Sequence, residues 1–166
     1  MAMNLELKKF NMSEIKDDKV VVLIGKRDTG KSFLCKDILY HHKSIPVGQV
    51  ISGTEGANQF YSKIVPKLFI HGEFKPEIVQ NMLKRQKLMI DQINGGNQEI
   101  DPRAFLILDD CLYDNSWAKN KDMRSVFMNG RHYKLLFLLT MQYALGIPPN
   151  LRTNIDYVFI LRENYV

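Results

Sequence analysis

The sequence predicts a three-layer α/β/α domain built on a mainly parallel central sheet of about five or more strands. Short, uninterrupted runs of Val, Ile and Leu recur along the chain, as strands buried on both faces require. Amphipathic stretches of ten residues or more alternate with them, which is the pattern of parallel strands joined by crossover helices. The 166 residues and 45% apolar content are enough to fill such a core as one domain spanning residues 1–166. Cys35 and Cys111 are too few and too isolated for a disulfide framework or a zinc site. Both are read as core thiols of a protein in a reducing compartment.

The run Val20 to Ile24, closed by Gly25, is the first strand and belongs at the sheet centre. Lys31 to His42 is the first helix, with Phe33, Leu34, Ile38 and Leu39 expected on its buried face and Lys36 and Asp37 outward. A second strand at Gln49 to Ser52 precedes a Gly-containing turn and a short helix near Asn58 to Ile64, and Lys67 to His71 reads as a third strand. Pro76 opens a long amphipathic helix reaching Ile93, with Ile78, Met82, Met89 and Ile93 on its apolar side and Lys84, Arg85 and Lys87 on the other. Beyond the loose linker Asn94 to Pro102, Ala104 to Asp109 is another buried strand. Lys121 to Asn129 is a helix stopped by Gly130, Leu135 to Met141 a further strand, and Asp156 to Arg162 the last.

Residues 1–17 form an N-terminal extension without the apolar core of a secretory signal. The longest apolar stretch, Leu135 to Pro148, is interrupted by Thr140 and Gln142 and is too short to span a bilayer. A soluble protein with no membrane insertion is expected. Lys and Arg exceed Asp and Glu by 23 to 18, a net charge of +5, and that surplus favours polyanionic partners or is simply a basic surface.

Gly25-Lys26-Arg27-Asp28-Thr29-Gly30-Lys31-Ser32 matches G-x-x-x-x-G-K-[ST] and falls between the first strand and the first helix, where the motif's chemistry requires it. The glycines let the backbone curl so that successive N–H groups point inward at a helix N-terminus, which makes a nest for phosphates. Lys31 reaches the β- and γ-phosphates, and the Ser32 hydroxyl is placed to ligate Mg²⁺. These eight positions and the adjoining Phe33 form the candidate ATP-binding set. Lys26 and Arg27 are either phosphate contacts or exposed loop cations.

A nucleoside triphosphatase of this kind needs a carboxylate at the end of another buried strand. Phe105 to Asp110 supplies it: Asp109 is expected to hold the metal, and Asp110 to orient or deprotonate the attacking water. The same pair is also compatible with a strand-end turn, as is Asp114. The long interval from Lys31 to Asp109 points to an additional strand between the phosphate-loop strand and the metal strand, as in motor-type ATPases. No Asn-Lys-x-Asp guanine-reading motif is present; Asn120-Lys121-Asp122 is one residue short of it. Gln142, at the tip of the following strand, lies on the edge where ligands of parallel sheets bind and is expected to sense the γ-phosphate or position water, or is simply a turn-forming residue.

In this order the motifs resemble those of the poxvirus-type genome-packaging ATPases of nucleocytoplasmic large DNA viruses, a branch of the FtsK–HerA superfamily of P-loop motors. The resemblance covers about Val20 to Arg162. It rests on the phosphate loop, on Leu108-Asp109-Asp110, on Asn129-Gly130-Arg131-His132-Tyr133 before the strand that ends at Gln142, and on Pro149 to Asn154 before the last strand. It implies ATP hydrolysis with Mg²⁺ by a homo-oligomeric ring that moves double-stranded DNA into a preformed capsid. A capsid or portal-type partner, the host cytoplasm and the virion follow from the same likeness. It assigns Gln142 as the sensor and Arg152 as an arginine finger inserted into a neighbour's site, with Arg131 as the rival. Two features differ from the family: Asp110 stands where much of the superfamily has glutamate, and the chain stops soon after its last strand, as a truncated or compact member would.

Three basic groups, Lys84/Arg85/Lys87, Lys119/Lys121/Arg124 and Arg131/His132/Lys134, are either a DNA path or solvated faces. His41 and His42 read as surface residues, His71 lacks partners at metal-ligand spacing, and Tyr113 and Trp117 either pack locally or touch a partner. Two other functions remain open at this level: a P-loop kinase acting on a small acceptor, and a nucleotide-gated assembly module without turnover.

Overall fold

The structure, a computed structural model, describes residues 6–113, 115–143 and 146–162. In chain order the elements are β1 (Val20–Ile24), α1 (Lys31–His41), β2 (Val47–Ser52), α2 (Glu55–Asn58), β3 (Ile70–His71), α3 (Pro76–Asn94), β4 (Ala104–Asp109), α4 (Lys121–Asn129), β5 (Leu135–Met141), α5 (Pro149–Arg152) and β6 (Tyr157–Ile160). Among the described residues the strands form one six-stranded sheet in the order β3-β2-β4-β5-β1-β6, with every neighbouring pair parallel. Asp114 lies outside the described residues.

The apolar runs are continuous because both faces of the sheet are covered. Side chains alternate across a strand, so Val20 and Val22 join Leu106, Leu108, Phe137 and Leu139 in a core under α3 and α4. Val21 and Leu23 join Ile107, Leu136 and Leu138 in a second core under α1. The expected three-layer α/β/α fold is present. The helices start where local chemistry starts them: Pro76 occupies the first turn of α3, and the Asn120 side chain accepts from the N–H groups of Asp122 and Met123 at the head of α4.

The strand separating β1 from β4 is β5, paired with both. It follows β4 in the chain, whereas the interval from Lys31 to Asp109 supplies β2 and β3, on the far side of β4. The additional-strand arrangement therefore holds, but the long interval is not its cause.

Several local expectations need correction. On α1, Ile38 is buried and Leu34 and Leu39 pack half-buried against the core as expected, but Phe33 is 69% exposed, and Lys31 and Cys35 complete the buried face. The buried face of α3 is Val79, Met82, Leu83 and Gln86, rotated from the expected one, with Ile78, Met89 and Ile93 half-buried. The segment read as one helix near Asn58 to Ile64 is the short α2 followed by a 3₁₀ turn at Tyr61–Lys63. The third strand is only Ile70–His71, after a second 3₁₀ turn. Arg152, for which the sequence predicts no helix, ends the short α5. His42 is 4% exposed and its Nδ1 lies 2.5 Å from Asp17 Oδ1, so it is a core histidine. Cys35 and Cys111 are buried thiols, as expected.

Candidate nucleotide-binding site

The loop Gly25 to Ser32 leaves the carboxyl end of the central strand β1 and enters α1. Its two glycines are needed for different reasons. At Gly25 a Cβ would stand 2.7 Å from Thr29 Oγ1 and 2.9 Å from Leu161 Cβ, so crowding excludes a side chain. Gly30 has φ 93°, the left-handed region that glycine enters at little cost. Asp28 is also left-handed at φ 59°, which Asp tolerates better than most residues. The Lys31 ammonium is folded back over the loop, donating to the carbonyls of Gly25 and Lys26 at 2.7 Å each. Thr29 Oγ1 donates to the same Lys26 carbonyl at 2.8 Å. A phosphate entering the loop must replace these carbonyls as the partner of Lys31.

β4 ends at Asp109, which is 2% exposed. Its Oδ2 accepts from Ser32 Oγ at 2.8 Å and from the Tyr61 hydroxyl at 2.9 Å, and its Oδ1 accepts from Thr140 Oγ1 at 2.7 Å. Three neutral donors thus hold a carboxylate that burial would otherwise penalise. Asp110 follows with φ 48°. Its N–H donates to Thr140 Oγ1 at 3.0 Å and its Oδ1 accepts from Gln142 Nε2 at 3.0 Å. Thr140, in β5, therefore ties the two acidic residues together. Glu55, 9% exposed, accepts the N–H groups of Tyr61 and Ser62 at 2.8 and 2.9 Å and fixes the turn that carries Tyr61.

The structure brings the phosphate loop, Asp109, Asp110 and Gln142 to one sheet edge. A cavity of about 630 Å³ is lined by Arg27, Asp28, Gly30, Lys31, Ser32 and Phe33 together with Asp109 and Asp110. A second, of about 290 Å³, is lined by Arg27, Asp110, Thr140 and Gln142. Phe33 is at the mouth, edge-on to Phe60 at 5.2 Å. Arg152 is elsewhere: its Nε donates to the Ile147 carbonyl at 2.7 Å, and it shares a separate concavity with Lys119 and Arg124. Arg131 pairs with Asp156 at 2.9 Å beside the start of β6, at the opposite sheet edge from the phosphate loop. Lys84, Lys87, Lys119, Lys121, Arg124, His132 and Lys134 are exposed, while Arg85 is half-buried. Trp117 is a core residue stacked on Phe127, whereas Tyr113 is 77% exposed.

Sequence reasoning missed Tyr61, Thr140 and Glu55. Thr140 carried a usable signal, a hydroxyl inside an otherwise apolar strand. Tyr61 carried none, because its contact with Asp109 joins residues far apart in the chain. The oxygen donors Ser32 and Asp109 suit Mg²⁺, a hard cation that keeps waters and phosphate oxygens in its shell. Among the described residues no group of three or more His, Cys, Asp or Glu could hold a metal without such help.

A parallel sheet with β5 between β1 and β4, a glycine loop leading from β1 into α1, and a carboxylate ending β4 together define the fold of the P-loop nucleoside triphosphatases. The chain resembles solved structures of that class. It is 19% identical, with TM-score 0.55, to the genome packaging NTPase of Sulfolobus turreted icosahedral virus 2 in complex with AMPPCP, over 90% of this chain and 78% of that one. It is 16% identical, with TM-score 0.63, to EssC (ATPases 2 and 3) of Geobacillus thermodenitrificans, over 90% of this chain and 35% of that one. In sequence it is 41% identical over 163 residues to an uncharacterized protein of Acanthamoeba polyphaga mimivirus, covering 96% of this chain and 57% of the relative. It is 48% identical over 154 residues to an uncharacterized protein of Invertebrate iridescent virus 6, covering 92% and 57%. The chain thus spans little more than half the length of these viral relatives. No protein-family model matches it. No helix among the described residues is long and apolar enough to cross a membrane.

Proposed function

We propose that residues 1–166 are one ATPase domain that hydrolyses ATP to ADP and phosphate and, as a homo-oligomeric ring, drives double-stranded viral DNA into a capsid. The observation that carries the reading is the 2.8 Å bond from Ser32 to Asp109, which joins the phosphate loop to the end of β4 beside Asp110 and Gln142. Likeness to a viral genome packaging NTPase and to proteins of large DNA viruses supports the cargo. Host cytoplasm and virion are the matching locations, and a capsid or portal-type protein the matching partner.

In this reading the N–H groups of the loop and the α1 N-terminus bind the phosphates. Lys31 leaves the Gly25 and Lys26 carbonyls for the β- and γ-phosphate oxygens. Ser32 and Asp109 would hold Mg²⁺, which supplies charge neutralisation at those oxygens when bound. Asp110 receives a proton from the attacking water, and Gln142 aims the Asp110 carboxylate at that water. Arg152, which lines a different concavity from that of its own phosphate loop, serves a neighbouring subunit in this reading. A trans-acting arginine of this kind contributes about 10³–10⁵ in rate.

DNA-stimulated ATPase assays on wild type, Lys31→Ala, Arg152→Ala and a mixture of the two variants test the proposal. Each variant alone should lose at least about 10³-fold in kcat. The mixture should regain part of it, because intact sites can form at interfaces between the two variants. Turnover that requires a small acceptor in place of water would make the protein a kinase, and no turnover in any assembled state would refute the ATPase.

A further inference from the structure

We infer that Tyr61 is a positioning residue for the metal-holding carboxylate, keeping Asp109 Oδ2 aimed at the metal beside Ser32. The inference rests on the function proposed above. In the described structure Oδ2 has two hydroxyl donors, Ser32 and Tyr61, while Oδ1 has Thr140. A hydroxyl ligates a metal through a lone pair while its hydrogen stays free to donate, so Ser32 is tied to the metal as well as to Oδ2. Tyr61 and Thr140 have no such second task, and with one hydroxyl on each oxygen they fix the rotation of the carboxylate.

The Tyr61 side chain is built for that task. It is 1% exposed, so no bulk water can replace its hydroxyl. Its ring meets Phe60 edge-on at 5.1 Å. Its own N–H is gripped by Glu55 Oε2 at 2.8 Å, and the next N–H by Glu55 Oε1. A phenylalanine would fill the same space, so packing alone does not require the hydroxyl. Groups that orient a metal ligand typically change metal affinity by about 10–100-fold when removed.

The test is calorimetric titration of a non-hydrolysable ATP analogue into wild type and Tyr61→Phe, without metal and over a series of MgCl₂ concentrations, with a thermal melt of each. Tyr61→Phe should lower the melting temperature by a few degrees, because buried Asp109 loses one of its three donors, and should leave metal-free affinity close to wild type while raising the Mg²⁺ concentration for half-maximal enhancement of binding by about 10–100-fold. Glu55→Gln, which loosens the grip on Tyr61, should give a smaller rise in the same direction and decides the matter if Tyr61→Phe does not fold. An unchanged Mg²⁺ dependence, or an equal loss of affinity with and without Mg²⁺, would overturn the positioning role. Wild type that binds no nucleotide would instead overturn the parent reading, an outcome visible before either variant is compared.

Discussion

Asp17 illustrates how single side chains outside the site hold this fold together. Burial acts to raise its pKa, but hydrogen bonds from Arg103 and His42 outweigh it and bring the carboxyl below its ordinary value of 3.8. Arg103 donates to Oδ2 at 2.7 Å and also reaches Ser44 and Asp101, so one guanidinium joins three segments. A carboxylate depressed in the folded state adds stability that is complete above its unfolded pKa and is lost as pH falls through the folded value. Urea unfolding at a series of pH values should therefore show wild-type stability falling below about pH 4. Asp17→Asn should be less stable at neutral pH and should have a shallower acid limb. Identical slopes in the two proteins would show that Asp17 carries none of the acid sensitivity.

At the scale of elements, α3 depends on one polar residue in its buried face. Gln86 is fully buried, and its Nε2 donates to the carbonyls of Pro102 at 2.7 Å and Tyr133 at 2.6 Å, tying the helix to the chain entering β4 and β5. Gln86→Leu would leave two carbonyls unpaired, and a loss of about 1–3 kcal/mol is expected in chemical denaturation with an unchanged slope. Elements governed by local signals were legible in the sequence. β1 reads as a β-branched run, α4 as a helix stopped by Gly130, and β5 as an apolar run ending at Met141. The phosphate loop was legible for the same reason: its glycines and Lys31 act within a few residues of each other. What was not legible depends on contacts between distant segments. The exposure of Phe33 follows from its facing Phe60 rather than the sheet. The buried face of α3 is set by where Gln86 finds its carbonyls, and the Tyr61 contact is set by how the chain after β2 crosses to β4.

On the scale of the whole molecule, the sheet order β3-β2-β4-β5-β1-β6 does the functional arranging. It sets the loop after β1, Gln142 beyond β5 and the acidic pair ending β4 side by side at the carboxyl edge, where ligands of parallel sheets bind. Arg131 and Asp156 close the opposite edge, and Arg152 stands apart with Lys119 and Arg124. The cavity beside the phosphate loop and the concavity of Lys119, Arg124 and Arg152 are thus separate, in a chain whose net charge as a whole is +5. All of it depends on the loop being able to release Lys31 to a triphosphate. Isothermal titration of wild type and Lys31→Ala with a non-hydrolysable ATP analogue and Mg²⁺ tests this most directly. Saturable binding to wild type, weakened at least about tenfold by loss of a charge-assisted contact in Lys31→Ala, is the expected result. No heat of binding to wild type, or equal affinity in the two proteins, would contradict it.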